Sequence, residues 1–565
     1  MEKKQISTTE MTISVERKAV AKIESQKCVN CGSCREVCPV DAIEEQQRTV
    51  CRICPSCAPK AAVAYADNDA VSVKEACTTG CPLGISPQGY VNLTRLGMYE
   101  EAYQLIWKKN PLPSICSRIC HHPCEQACKR ETMIDSAVSI RGTKRFLCDN
   151  VKIKPKKYPV MFDEEIAVIG AGPAGLAAAH KLSLAGYKVT IFESQAVPGG
   201  MMSMGIPKFR LSRDVIKEEV AKLEEAGITI KYGQTIGKKQ MESLKKEYDA
   251  VLVAAGTTSS KELKIDGWRK EGVYTALQFT KCIENDEPIK RHPGQNFNLE
   301  NADVVVIGGG NVALDCARTA IRMGAKSAVC TCLESGADVP CHEWERMEAE
   351  EEGITILEGW APVKYTGVHN ELTGVEYKKV VNFRKEDGKI CFDTDATQTM
   401  ELKADWVVVA IGQASDGYWS EYYEDEQVFF AGDVKNPVNS VVDAMASGQA
   451  AAKAIDEMLR GRSLKDPKEL RILHQADMNE KVYPATLPRI IRPEKPIKNP
   501  EERIKTFDEI EYAYTEEEIL LETKRCMQCG FQKVNPEKCI GCGACVRECP
   551  KGDVITLVSI GNGGV

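Results

Sequence analysis

The 565-residue sequence predicts an α/β protein, on three observations. Two stretches in its middle read strand, glycine turn, helix, strand; cysteines crowd both ends; and a further cysteine group lies between the first end and the first glycine turn. At 43% hydrophobic and 27% charged, the chain is too apolar for disorder and reads as globular. At roughly 150 residues per domain, its length allows three or four cores. A net charge of −7 without a basic tract argues against nucleic acid as a partner. The opening MEKKQISTTEMTISVERKAV lacks the apolar core of a secretion signal, and no run reaches the ~18 apolar residues of a membrane helix. The expected location is therefore the cytoplasm, with no membrane span.

Cysteine placement comes first, because 20 of the 26 lie in residues 1–148 and 526–549. Disulfides are rare in a reducing compartment, and the spacings are short and repeated, so metal or cluster ligation is the better reading. CVNCGSCREVCP sets Cys28, Cys31, Cys34 and Cys38 at CxxCxxCxxxCP; CIGCGACVRECP repeats the pattern with Cys539, Cys542, Cys545 and Cys549. Three close thiolates wrap one corner of an iron–sulfur cubane, small residues between them let amides approach its sulfurs, and Cys-Pro leads the chain away. A structural zinc site would want two separated CxxC pairs instead.

In two-cluster bacterial ferredoxins the fourth Cys of such a run ligates the other cluster, so each run requires partner thiolates. The nearest candidates are Cys51, Cys54 and Cys57 of CRICPSC, where Ala61 stands in the place of a fourth Cys, and Cys526 and Cys529 of KRCMQCG. In the third group, Cys77 and Cys81 form CxxxCP, and Cys116, Cys120, Cys124 and Cys128 recur every four residues. Pro123 interrupts any single helix there, so these thiols fold around clusters rather than striping a core. Leu93, Leu96, Ala102, Leu105 and Ile106 have the spacing of a helix pair that carries them.

The middle carries two dinucleotide fingerprints. In IAVIGAGPAGLAAAHKLSLAGYKVTIFES, Gly170 permits the tight turn, Gly172 with Pro173 and Ala174 lets backbone approach a pyrophosphate, and Gly175 allows close helix packing. Glu193, ending the next strand, is placed to bind a ribose diol. DVVVIGGGNVALDCARTAIRMG repeats the design with Gly308, Gly310, Asn311 and Ala313. Two such units suggest one site for FAD and one for a nicotinamide nucleotide. Further on, Gly432 and Asp433 of FFAGDV can hold a ribityl chain. The helix starting near Ser440 and Val441 can point its positive end at the flavin's pyrimidine edge.

Together, CPLGI, NPLPSICSRICHHPCEQAC, VIGAGPAGLAAA, GGMMSMGIPKFRL, VLVAAGT, VVVIGGGNVALD and FFAGDV with ASGQ resemble the small subunit of bacterial glutamate synthase and its relatives. These include the large subunit of electron-bifurcating ferredoxin:NADP oxidoreductase. The likeness covers about residues 77–530. It implies two Rossmann-like domains, the NAD domain inserted in the FAD domain, an N-terminal helical domain with [4Fe-4S] clusters, and Gly200, Met201, Gly205 and Arg210 bordering the flavin. The ferredoxin-like ends lie outside the basic family pattern.

The resulting layout is a ferredoxin-like module at 1–70, a helical iron–sulfur domain at 71–160, an FAD domain at 161–290 and 406–462, and an NAD domain at 291–405. A Pro- and charge-rich segment at 463–525 wraps the surface, and a second ferredoxin-like module occupies 526–565. Four [4Fe-4S] clusters, or five, are expected.

Two departures sharpen the chemistry. NADPH-using relatives carry an Arg pair after the second strand of the nicotinamide unit, where this chain has Cys332, Leu333 and Glu334. A carboxylate accepts hydrogen bonds from a ribose 2′-OH and repels a 2′-phosphate, so NAD(H) is expected. Disulfide reductases of this architecture place a Cys pair beside the flavin, where this chain reads PGGMMSMGIP; Cys330 and Cys332 read as packing residues on a strand. Electrons are expected to leave the flavin through clusters, with no protein acid or base required, toward other redox subunits or ferredoxin. Flavin-based bifurcation is one form of this activity. The alternatives are a glutamate synthase small subunit feeding a separate amidotransferase, and a wiring scaffold with a vestigial flavin site.

Overall fold

A computed structural model describes residues 3–8, 11–16, 19–49, 64–65, 76–257, 259–285, 299–386, 389–414, 417–435, 440–461 and 490–559. They form two compact units, one of Met1–Lys154, Arg460–Lys495 and Ala513–Val565, the other of Pro155–Leu459 and Pro496–Tyr512. Among the described residues no helix is long and apolar enough to cross a membrane.

The larger unit holds two five-stranded parallel sheets. In the first, the strand order is Val428–Phe430, Ala250–Val253, Glu165–Ile169, Lys188–Phe192, Thr229–Lys231. In the second it is Val273–Thr275, Trp406–Val409, Asp303–Ile307, Ser327–Cys332, Thr355–Glu358. Runs such as AVLV and WVVV are apolar at nearly every position because parallel strands are covered on both faces. The chain leaves the first sheet after Val253, builds the second, and returns at Val428. The outgoing and returning segments pair antiparallel at Ser259–Ser260 and Gln413–Ala414. This is the inserted two-domain α/β architecture the sequence predicts. An antiparallel meander, Trp360–Thr366, Gly374–Glu386 and Lys389–Lys403, follows the second sheet's last strand.

Helix Pro173–Ala185 starts on the first glycine turn with Pro173 in its first turn, where the missing N–H costs nothing. It packs so tightly on helix Val441–Leu459 that a Cβ on Gly448 would lie 2.1 Å from the Ala174 carbonyl oxygen. Cys330 and Cys332, 1% and 4% exposed, are packed on their strand, as the sequence suggests.

The smaller unit joins the two ends of the chain. Strand Ala19–Ile23 pairs antiparallel with Ile555–Ser559, and strand Ile43–Thr49 with Gly530–Val534. Each half is strand, cysteine loop, short helix (Ser33–Glu36 or Ala544–Arg547), strand, and each half's first strand pairs with the other half's second. The two ferredoxin-like ends are thus halves of one module sharing one apolar core. Beside it lie helices Pro87–Arg95, Tyr99–Trp107, Pro113–Ile119 and Ile140–Asn150. Leu93, Ala102 and Ile106 are buried as the spacing requires, whereas Leu96 caps its helix and is exposed.

The stretch expected as one wrapping segment divides between the units. Residues 496–512 lie on the nucleotide-binding unit, where Arg503 Nη2 meets Glu351 Oε2 at 2.6 Å and the Ile510 N–H donates to the Phe209 carbonyl at 3.2 Å. Residues 513–525 lie with the cysteine-rich unit, where the fully buried Arg525 binds Asp135 and Glu522.

Candidate functional site

The two glycine turns divide their tasks position by position. A Cβ at Gly170 would stand 2.5 Å from the Ala254 carbonyl and one at Gly175 only 2.0 Å from that of Gly170, while Gly172 faces open space. In the second turn Gly308, at φ +148°, has the Ala410 carbonyl 2.4 Å from its would-be Cβ, whereas Gly310 again faces open space and Ala313 is buried. The cramped glycines shape each turn, and the open ones leave a backbone cradle at a helix N-terminus where a pyrophosphate fits. Glu193 Oε2 accepts the Ala171 N–H at 2.7 Å, which fixes its buried carboxylate against the first cradle.

Other segments converge on the first turn. The Gly199 N–H donates to the Ala171 carbonyl at 2.9 Å, and Gly200, at φ +53°, brings its would-be Cβ to 3.1 Å from Gly172 Cα. Gly205 closes the turn after Met201 through its N–H to the Met201 carbonyl. Gly432, at φ +73°, donates to Ser447 Oγ at 3.0 Å and lies against Ala174, with Asp433 next in the same turn. Ser440 Oγ accepts the Asp443 N–H at 3.2 Å, capping the helix that starts at Val441. Sequence reasoning passed over Thr257 and Gln413, although GQ directly after an apolar strand was a signal: Thr257 Oγ1 donates to Gln413 Oε1 at 2.5 Å, and Gln413 Nε2 reaches Met201 Sδ at 3.7 Å.

At the second turn, Glu334 is buried two residues past its strand. Cys341 and His342, which the sequence did not single out, seal the turn: the Cys341 N–H donates to the Gly309 carbonyl at 3.1 Å and the His342 N–H to Asn311 Oδ1 at 2.9 Å.

Arg210, expected beside the flavin, has partners the sequence did not suggest. Its Nη1 lies 2.9 Å from both Asp315 carboxylate oxygens and its Nη2 2.5 Å from Glu345 Oε1, so its guanidinium is engaged by acids of the nicotinamide domain. Burial opposes the charge on Arg210, and the two carboxylates outweigh it and hold the guanidinium protonated.

In the cysteine-rich unit, one apolar cavity is lined by Cys28, Cys31, Cys34 and Cys549, and a second by Cys38, Cys539, Cys542 and Cys545. Three thiols of each come from one run and the fourth from the other. Among the described residues the runs therefore partner each other, and Cys526 and Cys529 of KRCMQCG line neither cavity, because strand pairing of the two ends brings Cys549 to the first run and Cys38 to the second. Among the described residues no three His, Cys, Asp or Glu side chains converge on a point as they would about one ion. Thiols standing around a cavity suit a many-atom cluster and not a single zinc.

Backbone donors fit the same reading. Asn30 N and Gln532 N point at Cys28 Sγ, both at 3.4 Å, Ala42 N at Cys38 Sγ (3.2 Å) and Ala21 N at Cys539 Sγ (3.4 Å). Such N–H groups stabilise thiolate and cluster sulfur. Burial pushes the Cys31 thiol up to about 11 and raises Cys34 further. Thiols so placed ionise only against a compensating cation.

The helical part holds a third set. Cys116 and Cys120 stand on and just after helix Pro113–Ile119, Cys124 follows Pro123, and the His122 N–H, at φ +46°, donates to Cys120 Sγ at 3.4 Å. Burial lowers the Lys144 ammonium, and Cys116, Cys120, Cys81 and Cys124 together raise it by more. Elsewhere Cys128 acts on Cys526, whose sulfur also accepts Asn92 Nδ2–H at 3.4 Å. Cys77 and Cys529 belong to the same unit. Cys51, Cys54 and Cys57 fall outside the described residues.

Comparison with known proteins agrees with this geometry. Residues 164–448 match the pyridine nucleotide-disulphide oxidoreductase family, 46–155 the 4Fe-4S domain II of dihydropyrimidine dehydrogenase, and 21–44 and 533–553 a 4Fe-4S binding domain. The chain is 30% identical to the NADP(+)-dependent formate dehydrogenase subunit beta of Moorella thermoacetica, over 80% of this chain and 70% of that one. It is 29% identical to the NADPH glutamate synthase small chain of Azospirillum brasilense (68% and 87%). With the NAD-dependent dihydropyrimidine dehydrogenase subunit PreT of Escherichia coli O157:H7 it shares 30% identity (74% and 98%). The chain belongs to the pyridine nucleotide-disulphide oxidoreductase family, as an NAD(P)H-dependent FAD electron-transfer subunit that carries [4Fe-4S] clusters.

Proposed function

We propose that this subunit takes electrons from NADH and delivers them singly to partner redox subunits or to ferredoxin. The observation that carries the reading is the pairing of two nucleotide cradles in one unit with thiol-lined cluster cavities in the other, and a methionine turn where disulfide reductases keep a Cys pair. Bound flavin supplies the change from two-electron to one-electron chemistry.

On this reading, Gly170, Gly172, Pro173, Ala174 and Gly175 cradle the FAD pyrophosphate and Glu193 its ribose. Gly200, Met201 and Gly205 border the ring with Thr257 and Gln413, and Gly432, Asp433, Ser440 and Val441 hold the ribityl chain and pyrimidine edge. Gly308, Gly310, Asn311 and Ala313 hold the nicotinamide nucleotide, and Glu334 selects NADH by accepting from its 2′-OH. The two ferredoxin-like cavities and the Cys81, Cys116, Cys120 and Cys124 set hold a cluster each. Cys128 and Cys526, with Cys77 and Cys529 completing four thiolates, hold another. Cysteines in this number, held as cluster ligands, require a reducing compartment, which favours the cytoplasm.

A second reading, a small chain feeding a separate amidotransferase, is supported by 29% identity across 87% of the Azospirillum brasilense small chain. The added ferredoxin-like module, with an exposed Cys542, favours the first. Anaerobic purification from the native host, with iron and flavin counted and companion subunits identified, tests both. The expected result is a chain with about 16 iron atoms, four for each of the four clusters, whose flavin absorbance bleaches on adding NADH. A colourless protein, or one unchanged by NADH, overturns the proposal, and a companion amidotransferase selects the second reading.

A further inference from the structure

Helix Pro87–Arg95 touches cysteines of two different cluster sites within one turn. In its first turn, a Cβ on Gly89 would lie 2.7 Å from Cys31 Cα and 3.1 Å from Cys31 Cβ, so only glycine lets the helix and the first cysteine run approach so closely. Ser86 Oγ, which caps this helix, donates to the Asn30 carbonyl in the same run at 2.7 Å. Three residues on, Asn92 reaches Cys526. Positions i and i+3 share a helix face, and a turn rises about 5.4 Å. Gln88 fixes the registration: its Nε2 donates to the Gly530 carbonyl at 2.8 Å and its Oε1 accepts the Gly530 N–H at 2.9 Å, directly after Cys529.

Asn92 itself is unusual. It is 0% exposed; its Nδ2 donates to the Gln88 carbonyl at 2.8 Å and to Cys526 Sγ at 3.4 Å, while its Oδ1 is buried without a hydrogen-bond partner among the described residues. The two acceptors around Nδ2 fix which way the amide faces. A side chain kept for its packing alone would not carry an orphaned buried carbonyl, since apolar Leu would fill the same space without that cost.

We propose that this helix is the common wall of two cluster sites, and that Asn92 is a positioning residue that sets the reduction potential of the cluster held at Cys526. An N–H donated to a ligand sulfur stabilises the more negative, reduced form, so Asn92 raises that potential. The inference rests on the proposed ligation of Cys526.

The test uses the full chain, purified anaerobically, as Asn92→Leu and Asn92→Asp. The readout is an EPR-monitored redox titration in which the Cys526 signal is assigned by its loss in Cys526→Ser. The expected result is unchanged iron, unchanged flavin bleaching by NADH, and a reduced-to-oxidised ratio at that one cluster about tenfold lower at fixed potential, a shift of about 59 mV, with the other signals unmoved. Full iron with no shift in either variant overturns the inference and leaves the proposed function standing. So does loss of that cluster's iron in both variants, which would give Asn92 a purely structural role. If Cys526→Ser loses no iron, the ligation, and not the role of Asn92, is what fails.

Discussion

Cys34 and Cys549 line one cavity although they come from opposite ends of the chain. Each ferredoxin-like cavity borrows its fourth thiol from the distant run, so substituting the last Cys of a run should damage the cluster that its sequence neighbours do not hold. Cys38→Ser should abolish the signal of the cluster at Cys539, Cys542 and Cys545, and Cys549→Ser that of the cluster at Cys28, Cys31 and Cys34, each with a loss of up to about four iron atoms. Pairing Cys38→Ser with Cys542→Ser should cost no more iron than either alone, whereas pairing it with Cys549→Ser should cost twice as much. Anaerobic iron counting reads the difference, and the reverse pattern would show that each run ligates its own cluster.

Glu334 should decide between the nicotinamide nucleotides. In the unmodified protein kcat/KM for NADH should exceed that for NADPH by at least about tenfold, roughly 1.4 kcal/mol of differential binding. Glu334→Arg should reverse the preference. Equal or better use of NADPH by the unmodified protein removes this role for Glu334.

Arg210 joins the loop of the flavin domain to helices of the nicotinamide domain through Asp315 and Glu345. Removing one partner of a buried ion pair strands the remaining charges, at a cost of about 3–5 kcal/mol. Arg210→Met should therefore lower the thermal midpoint of flavin release by several degrees, and Arg210→Met combined with Asp315→Leu should recover part of the loss. A midpoint unchanged in Arg210→Met would mean the pair carries no net stability.

His180 sits fully buried on the helix that starts at the first glycine turn, with Tyr158 Oη 3.0 Å from its Nε2, and burial drives it down to about 3. The folded chain keeps it neutral while the unfolded chain protonates it below about 6.5. Stability is therefore full above that pH and lost as pH falls toward 3, by about 2 kcal/mol between pH 7 and pH 5. His180→Gln cannot titrate and still offers Tyr158 a partner, so its melting temperature should fall less steeply over this range. Parallel acid limbs for the two proteins would exclude His180 as the cause.

The nucleotide domains were legible because their constraints are local. Gly170, Gly172 and Gly175 satisfy turn, cradle and helix contact within a few residues, and apolar strands flank them. Cluster ligation was legible as chemistry but not as partnership. The spacing of Cys28, Cys31, Cys34 and Cys38 announces a cubane and a missing ligand, yet which thiol answers depends on strand pairing between residues at opposite ends, and no local pattern encodes that. The acid partners of Arg210 were illegible for a similar reason, since Asp315 and Glu345 lie on helices far along the chain. Asn92 gave no sequence signal, because one polar residue in a short helix is unremarkable until its neighbours are known.

The intertwined ends also bear on biogenesis. A ribosome releasing this polypeptide has exposed the N-terminal thiols long before Cys549 and the strand Ile555–Ser559 exist to complete them. Iron loading of the first cavity must therefore wait until Cys549 has been translated, and a product stopped before Cys539 forfeits the first cavity together with the second. Metal incorporation thereby becomes a checkpoint on synthesis of the second cysteine run, and a polypeptide terminated before that run would leave both ferredoxin-like sites without iron.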